Sequence, residues 1–86
     1  MKHLEKILKA VANRRRLAIL KYLKSAKEAP VGEIAVEIHL SFRATSKHLG
    51  ILAAADIIEK DQRSLQVFYR VAKNPPASVK HLIFFL

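Results

Sequence analysis

The stretch LSFRATSKHLGILAAADIIEK, residues 40–60, decides the fold, because a polar and basic beginning runs into an apolar end. Ser41 is suited to cap a helix, since its hydroxyl can accept a hydrogen bond from a free amide of the first turn. At 100° per residue, one side of this helix carries Thr45, Leu49 and Leu52. The opposite side carries Arg43, Ser46, Lys47 and Gly50. The pattern predicts a helix over about residues 41–55 that buries one face and presents hydrogen-bond donors on the other.

Helical spacing of apolar residues recurs on the N-terminal side of this stretch. Apolar side chains at i, i+3, i+4 and i+7 predict a first helix over about residues 2–12. Asn13 is suited to cap a second helix, and Val31 to Ile38 repeat the spacing in a short third helix. Asp56 is expected to end the fourth helix in the left-handed conformation. Four consecutive helices are therefore predicted.

The segments IIEKDQ and QVFYRV, within about residues 57–71, are rich in β-branched and aromatic side chains and predict a β-hairpin. Pro75 and Pro76 end it, and a final helix follows. The predicted fold is mainly α with a β-hairpin, in the order α-α-α-α-β-β-α, as a single domain over residues 1–86. This order describes a winged helix-turn-helix, in which the fourth helix enters the DNA major groove and the hairpin reaches the flanking backbone or minor groove.

The charge balance favours a polyanionic partner. Sixteen Lys and Arg against seven Asp and Glu give a formal net charge of +9 on 86 residues, so nucleic acid is the first candidate and an anionic membrane the second. The absence of cysteine excludes disulfides, thiolate metal sites and a cysteine nucleophile. No apolar run approaches the ~20 residues of a membrane crossing. We therefore expect a soluble, cytoplasmic protein.

Several fragments with joint spacing resemble one family. The pattern V-x-E-L-A-x-x-L-x-L-S corresponds to VGEIAVEIHLS (31–41), T-V-S-x-H-L to ATSKHL (44–49), and Y-Y-R to FYR (68–70). These fragments are similar to the arsenical-resistance repressor family, the ArsR-like or ArsR/SmtB-like winged-helix regulators. The resemblance covers residues 13–71. It implies a dimeric, sequence-specific DNA-binding transcriptional regulator, in such families most often a repressor.

The sequence departs from the metal-sensing members of that family. Where they carry E-L-C-V-C-D-L, this chain has EAPVGEI (28–34), so both thiolate positions are missing. The four histidines have no second ligand at helical spacing. We expect no metal and no cofactor in the chain, while a site between subunits that uses His3 or His81 stays open.

The residues expected to contact DNA lie on the fourth helix and on the hairpin: Ser41, Phe42, Arg43, Ser46, Lys47, Gln62, Arg63, Ser64 and Arg70. Arg43 has the geometry to bond guanine O6 and N7, and Lys47 suits phosphate or guanine as a point charge. Phe42 either meets a thymine methyl or staples the helix start. Arg63 suits a narrow minor groove or a phosphate. The alternative for the cations is a solvated helix face, and for the hairpin tip a polar turn.

The terminal helices are expected to pair across a two-fold axis, because the central motif does not require their apolar stripes. The predicted dimerisation residues are Leu4, Ile7, Leu8, Val11, Val79, Leu82, Ile83 and Leu86. Such a dimer spaces two recognition helices about 34–36 Å apart, which matches a palindromic operator in double-stranded DNA.

The sequence offers no Gly-rich phosphate loop, no paired carboxylates in an apolar pattern and no nucleophile with a base, so we expect no enzyme. Two other functions stay open: a nucleic-acid module without sequence preference, and a protein-interaction winged helix. The sequence does not specify the operator, the effector or the choice between repressor and activator.

Overall fold

The structure is a computed structural model that describes all 86 residues. Its elements are α1 (Lys2–Val11), α2 (Arg14–Ala26), β1 (Ala29–Pro30), α3 (Val31–Glu37), α4 (Phe42–Ala54), β2 (Ile58–Arg63), β3 (Gln66–Val71) and α5 (Ala77–Phe85). The predicted order of four helices, a hairpin and a final helix is confirmed. No helix has both the length and the hydropathy that a bilayer crossing demands.

The predicted helix caps are present. The Asn13 side chain accepts hydrogen bonds from the backbone N–H groups of Arg15 and Arg16, which fixes the start of α2. The Ser41 hydroxyl accepts one from the Ala44 N–H at 3.1 Å, so two of the helices begin where their caps predict. Asp56 follows α4 with a φ of 59°, the left-handed conformation expected of it.

The sheet contains one strand that the sequence did not predict. β1 pairs antiparallel with β3, Ala29 opposite Tyr69 and Pro30 opposite Phe68, which gives the strand order β1-β3-β2. Pro30 is tolerated because β1 is an edge strand, where a missing N–H interrupts no ladder. Two residues are too few to show the alternating pattern of a strand in the sequence. They form a strand only because the fold brings β3 alongside them.

The core is one cluster of sixteen buried hydrophobic residues drawn from all five helices and the sheet. Leu49 and Leu52 of α4 are fully buried in it, as predicted, and Thr45 is buried beside them. The Thr45 hydroxyl has no hydrogen-bond partner. Because this face of α4 is held in the core, the orientation of the opposite face is fixed.

The terminal helices contribute more to the core than the sequence analysis allowed. Four of the predicted dimerisation residues are buried in the single chain: Ile7, Val11, Val79 and Ile83. α1 and α5 pack against each other within the chain, so the expectation that their stripes are spare is wrong for these four. The predicted dimerisation residues that keep accessible surface are Leu4, Leu8, Leu82 and Leu86.

Candidate nucleic-acid interface

The outer face of α4 carries unpaired positive charge. Arg43 and Lys47 are exposed, and neither makes an ion pair or a side-chain hydrogen bond. Ser46 is half-buried between them, and Gly50 is exposed one turn further along. α4 contains no acidic residue. An approaching anion therefore meets two cations that need not first release a carboxylate.

The first turn of α4 adds an apolar side chain to this surface. Phe42 is 63% exposed, so it does not act as a buried staple at the helix start. It lines an open groove of about 310 Å³ between the starts of α3 and α4 and the hairpin tip. Ser41, just before it, is exposed and occupied in capping.

The β2–β3 hairpin, called the wing below, turns tightly at Ser64 and Leu65. Ser64 has a φ of 57°, and its carbonyl accepts a hydrogen bond from Gln62 Nε2 at 3.0 Å. All three residues are exposed. This hydrogen bond fixes the turn geometry at the wing tip and leaves the Gln62 amide with one N–H and its carbonyl oxygen free.

Arg63, predicted to reach DNA, is engaged by carboxylates of its own chain. Its Nη1 and Nη2 donate to the two carboxylate oxygens of Glu28 at 2.5 and 2.8 Å, and its Nε donates to Asp61 at 2.9 Å. The guanidinium also lies 4.5 Å from the centre of the Phe68 ring. The hydrogen bond that Arg63 donates lowers the pKa of Glu28, and the bonds that Glu28 and Asp61 accept raise the pKa of Arg63.

Arg70 is paired in the same way on β3. Its Nε donates to Glu59 at 2.8 Å, and its Nη1 lies 3.7 Å from Asp61. The two wing arginines therefore share three carboxylates, and Lys60 is the wing cation without an acidic partner. Glu28 lies far from the wing in sequence, so no local signal predicted its pairing with Arg63.

Comparison with known proteins agrees with this architecture. Residues 13–60 match the family described as bacterial regulatory protein, arsR family. The transcriptional activator HlyU of Vibrio cholerae is 34% identical over 77 residues, which are 90% of this chain and 70% of HlyU. The chain belongs to the arsR family of bacterial regulatory proteins.

Solved structures of similar proteins share the fold. The structure of reduced HlyU from Vibrio cholerae superposes with a TM-score of 0.82 at 34% identity, covering 99% of this chain and 85% of HlyU. A homodimeric winged helix-turn-helix DNA-binding domain from Mycobacterium bovis gives 0.82 at 27% identity, covering 98% and 74%. The transcriptional repressor BigR from Xylella fastidiosa gives 0.79 at 27%, covering 99% and 80%. The chain is thus a DNA-binding transcriptional regulator with the arsR-family fold.

Two arginines at the start of α2 brace the helix-turn-helix in this arsR-family protein. Arg15 Nη1 donates to the carbonyl of Ile38, the cap residue that ends α3, at 3.0 Å. Arg16 Nε donates to the carbonyl of Ala10 at 2.5 Å, near the end of α1. Free carbonyls at helix ends carry partial negative charge and attract cations. The sequence did not predict this role, because both carbonyl acceptors lie at the ends of other helices.

Arg16 also holds the recognition helix. Its Nη1 lies 3.1 Å from His48 Nδ1, so the neutral ring accepts a hydrogen bond from the guanidinium. Burial lowers the pKa of His48 below its usual 6.5, and the positive charges of Arg16, Arg15 and Lys47 lower it further. The ring is therefore uncharged at neutral pH and connects α2 to α4.

Most of the net charge lies away from α4. Residues 1–27 hold nine of the sixteen Lys and Arg but one of the seven acids. Seven of those nine cations are exposed; the other two are Arg15 and Arg16. The first two helices thus set the long-range field of the molecule. No group of three or more potential metal-ligating side chains comes together.

Proposed function

We propose that this regulator is a homodimer that recognises a palindromic DNA operator with one α4 in each of two successive major grooves. One observation carries the proposal: Arg43 and Lys47 stand unpaired on the outer face of a helix whose inner face is locked in the core. Because the α4 backbone is already fixed, binding to a duplex orders only the side chains, and no carboxylate of the chain has to be displaced first.

The chemistry of the α4 face suits base edges and phosphates. Arg43 near the helix start is the candidate for guanine, since its planar fork matches O6 and N7. Lys47 one turn on is the candidate for phosphate, and the Ser46 hydroxyl suits either. Ser41 and Phe42 flank these residues at the N-terminal end, which in helix-turn-helix proteins is the end nearest the bases.

In this proposal the wing contributes to DNA binding mainly through its shape. Gln62 and Ser64 lie at its tip and suit the flanking backbone, while Arg63 and Arg70 are held by Glu28, Glu59 and Asp61. A phosphate would have to compete with those carboxylates for the guanidinium groups. We therefore assign these two arginines to holding the wing.

Exposed apolar surface on the terminal helices supports dimerisation. Leu8 is 47% and Leu82 36% exposed, and Leu4 and Leu8 line a groove of about 390 Å³ along α1. The Mycobacterium bovis relative is a homodimer. A two-fold axis through α1 and α5 would bury this surface and set the two α4 helices about 34–36 Å apart.

The proposal includes repression of transcription. The repressor acts in the cytoplasm as a single domain over residues 1–86, and it acts by binding and not as an enzyme. BigR, which shares the fold, is a repressor. Activation is the second candidate, since HlyU is named as an activator. Transcription in vitro from a promoter that contains the selected operator distinguishes the two by the sign of the change in transcript.

Selection of bound duplexes from a random pool tests the recognition step. We expect a palindromic consensus that binds at least about 10³-fold more tightly than random DNA. With about 6–10 phosphate contacts, affinity should fall roughly 10³- to 10⁵-fold between 50 and 200 mM salt. Equal affinity for selected and random duplexes would instead support a nucleic-acid module without sequence preference.

Sedimentation of Leu8→Glu tests the dimer. A charge at this exposed position of α1 should leave the fold intact and give a monomer that no longer prefers palindromes over single half-sites. Val36→Glu is the matched control, because Val36 is an exposed aliphatic residue on α3. Loss of the dimer in both variants, or in neither, would contradict the assignment of the interface to the terminal helices.

A further inference from the structure

The wing tip presents an apolar side chain to solvent. Leu65, the second residue of the turn, is 97% exposed and is the most exposed large hydrophobic residue of the chain. Full burial of a leucine is worth about 1.5–3 kcal/mol relative to exposure. A single exposed leucine is ordinary on a protein surface, so its meaning depends on how the tip is held and on what surrounds it.

The tip is held from both sides. Arg63 immediately precedes the turn and bridges the segment before β1, through Glu28, to β2, through Asp61. The Phe68 ring lies beneath its guanidinium. A hairpin alone would pivot about its base, but this bridge attaches the end of β2 to the segment between α2 and β1. Leu65 is therefore supported like a side chain on a rigid element.

The bridge also removes positive charge from the tip. Arg63 and Arg70 together face Glu28, Glu59 and Asp61, so this cluster carries one more negative than positive charge. Such a cluster does not attract phosphate. If the wing contacts DNA, the contact therefore falls to the other exposed residues of the tip, the polar Gln62 and Ser64 and the apolar Leu65.

Leu65 shares a surface with the recognition helix. Leu65 and Phe42 line the same groove of about 310 Å³, together with Val31 and Val67. Since Phe42 is the first residue of α4, a duplex seated on Arg43 and Lys47 lies within reach of the wing tip. Leucine is one of the side chains that proteins insert into the minor groove, where it contacts sugars and base edges without neutralising charge.

We propose that Leu65 is the wing residue that enters the DNA minor groove, as an apolar knob beside each half-site, and that Arg63 positions it through Glu28 and Asp61. This inference rests on the proposed function, since it needs α4 in the neighbouring major groove. Arg63 is then a positioning residue that does not touch the duplex.

Affinity measured across a salt series on the selected operator tests the knob. Leu65→Ala should weaken binding on the order of 10-fold per half-site, because apolar burial is lost, and should leave the salt dependence unchanged. Arg63→Ala should weaken binding without changing the salt slope. A slope lower by about 0.9 per protomer in Arg63→Ala would mean that Arg63 binds a phosphate, which overturns the proposal.

A double-mutant cycle tests the positioning role. If Arg63 acts through Leu65, then Arg63→Ala should cost nothing further in the Leu65→Ala background. Additive losses would show that the bridge acts independently of the knob and would overturn that part. Arg43→Ala, measured in parallel, distinguishes failure of the proposed function from failure of this inference. Unchanged DNA affinity in Arg43→Ala would contradict the proposed function. Weaker affinity in Arg43→Ala with unchanged affinity in Leu65→Ala would contradict this inference alone.

The groove is tested by changing the duplex. Replacing guanine by inosine in the base pairs flanking each half-site removes an amino group from the minor groove and leaves the major-groove edge unchanged. This should tighten binding of the wild-type protein and have no effect on Leu65→Ala. Equal changes in affinity for both proteins would overturn the proposal. Weaker self-association of Leu65→Ala with unchanged DNA affinity would also overturn it, because Leu65 would then contact a second copy of the chain.

Discussion

The recognition helix and the wing carry similar side chains but use them differently. α4 has Arg43 and Lys47 without an acidic partner, whereas the wing has Arg63 and Arg70 joined to three carboxylates. By the number of basic residues alone, the two regions are similarly suited to bind DNA. Counting unpaired ones leaves the wing with Lys60 alone. A guanidinium that already has a bidentate carboxylate gains little by exchanging it for a phosphate.

The difference has a structural origin. α4 is a helix of thirteen residues locked by Leu49 and Leu52, so its outer face needs no ion pairs to stay in place. The wing packs on the core at its base, through Ile58, Tyr69 and Val71, and its outer part is held by polar contacts at its edge. Exposed ion pairs are each worth about 0–1 kcal/mol, but several linked pairs can orient a hairpin. Charge is thus free for a partner in the first region and is used within the chain in the second.

The largest difference is expected between the two kinds of arginine. Arg43→Ala should cost about 1–3 kcal/mol per half-site and relax the preference for one base pair, as loss of a bidentate guanine contact does. Arg70→Ala is the matched control from the wing, and we expect it to leave base preference unchanged. Binding titrations on the selected operator and on duplexes changed at single positions measure both. An equal loss of base preference in the two variants would contradict the difference between α4 and the wing.

The second residue of α4 should act differently from the first. Lys47→Ala should weaken binding to all duplexes alike and reduce the salt slope by about 0.9 per protomer, because one phosphate contact is lost. Salt titrations with specific and random DNA provide the measurement. Lys80→Ala, an exposed cation on α5, is the control and should leave the slope unchanged. A loss confined to the specific duplex would make Lys47 a base-reading residue instead.

Gly50 tests how closely α4 approaches the duplex. A Cβ built on Gly50 meets nothing within 4 Å, so Gly50→Ala should raise the free energy of unfolding by about 0.5–1 kcal/mol through helix propensity. DNA affinity should fall, because the added methyl occupies space between helix and duplex. Gly32→Ala, equally unobstructed on α3, is the control for stability. Higher stability with unchanged affinity would mean that the second half of α4 lies away from the DNA.

The smallest effect concerns pH. The pKa of His48 is lower in the folded chain than the unfolded 6.5, so on acidification below 6.5 the unfolded state takes up a proton first and the free energy of unfolding falls. His48→Gln should remove this loss and keep an acceptor for Arg16. Denaturant unfolding at pH 7.5 and at pH about 5.5 provides the measurement. His81→Gln on α5 is the control, and a pH dependence that persists in His48→Gln would contradict the assignment.

Sequence reasoning recovered the elements that depend on neighbouring residues. The caps at Asn13 and Ser41, the left-handed Asp56 and the buried face of α4 all follow from spacing over a few positions. It failed where the partner is distant: β1 exists because β3 pairs with it, and Arg16 is occupied because Ala10 and His48 are brought to it. It also misjudged Ile7, Val11, Val79 and Ile83, since an apolar stripe does not reveal whether its own chain or a partner covers it.

By itself the sequence determined that this chain forms a helix-turn-helix with a wing and that a basic, one-sided helix follows Ser41, because periodicity and caps are local properties. The tertiary structure decided which charges are available. Glu28 meets Arg63 through the fold alone, and an ion pair between distant residues neutralises a cation that composition counts as free. Net charge is additive along a chain, but the field that a partner meets depends on which charges the fold has already paired.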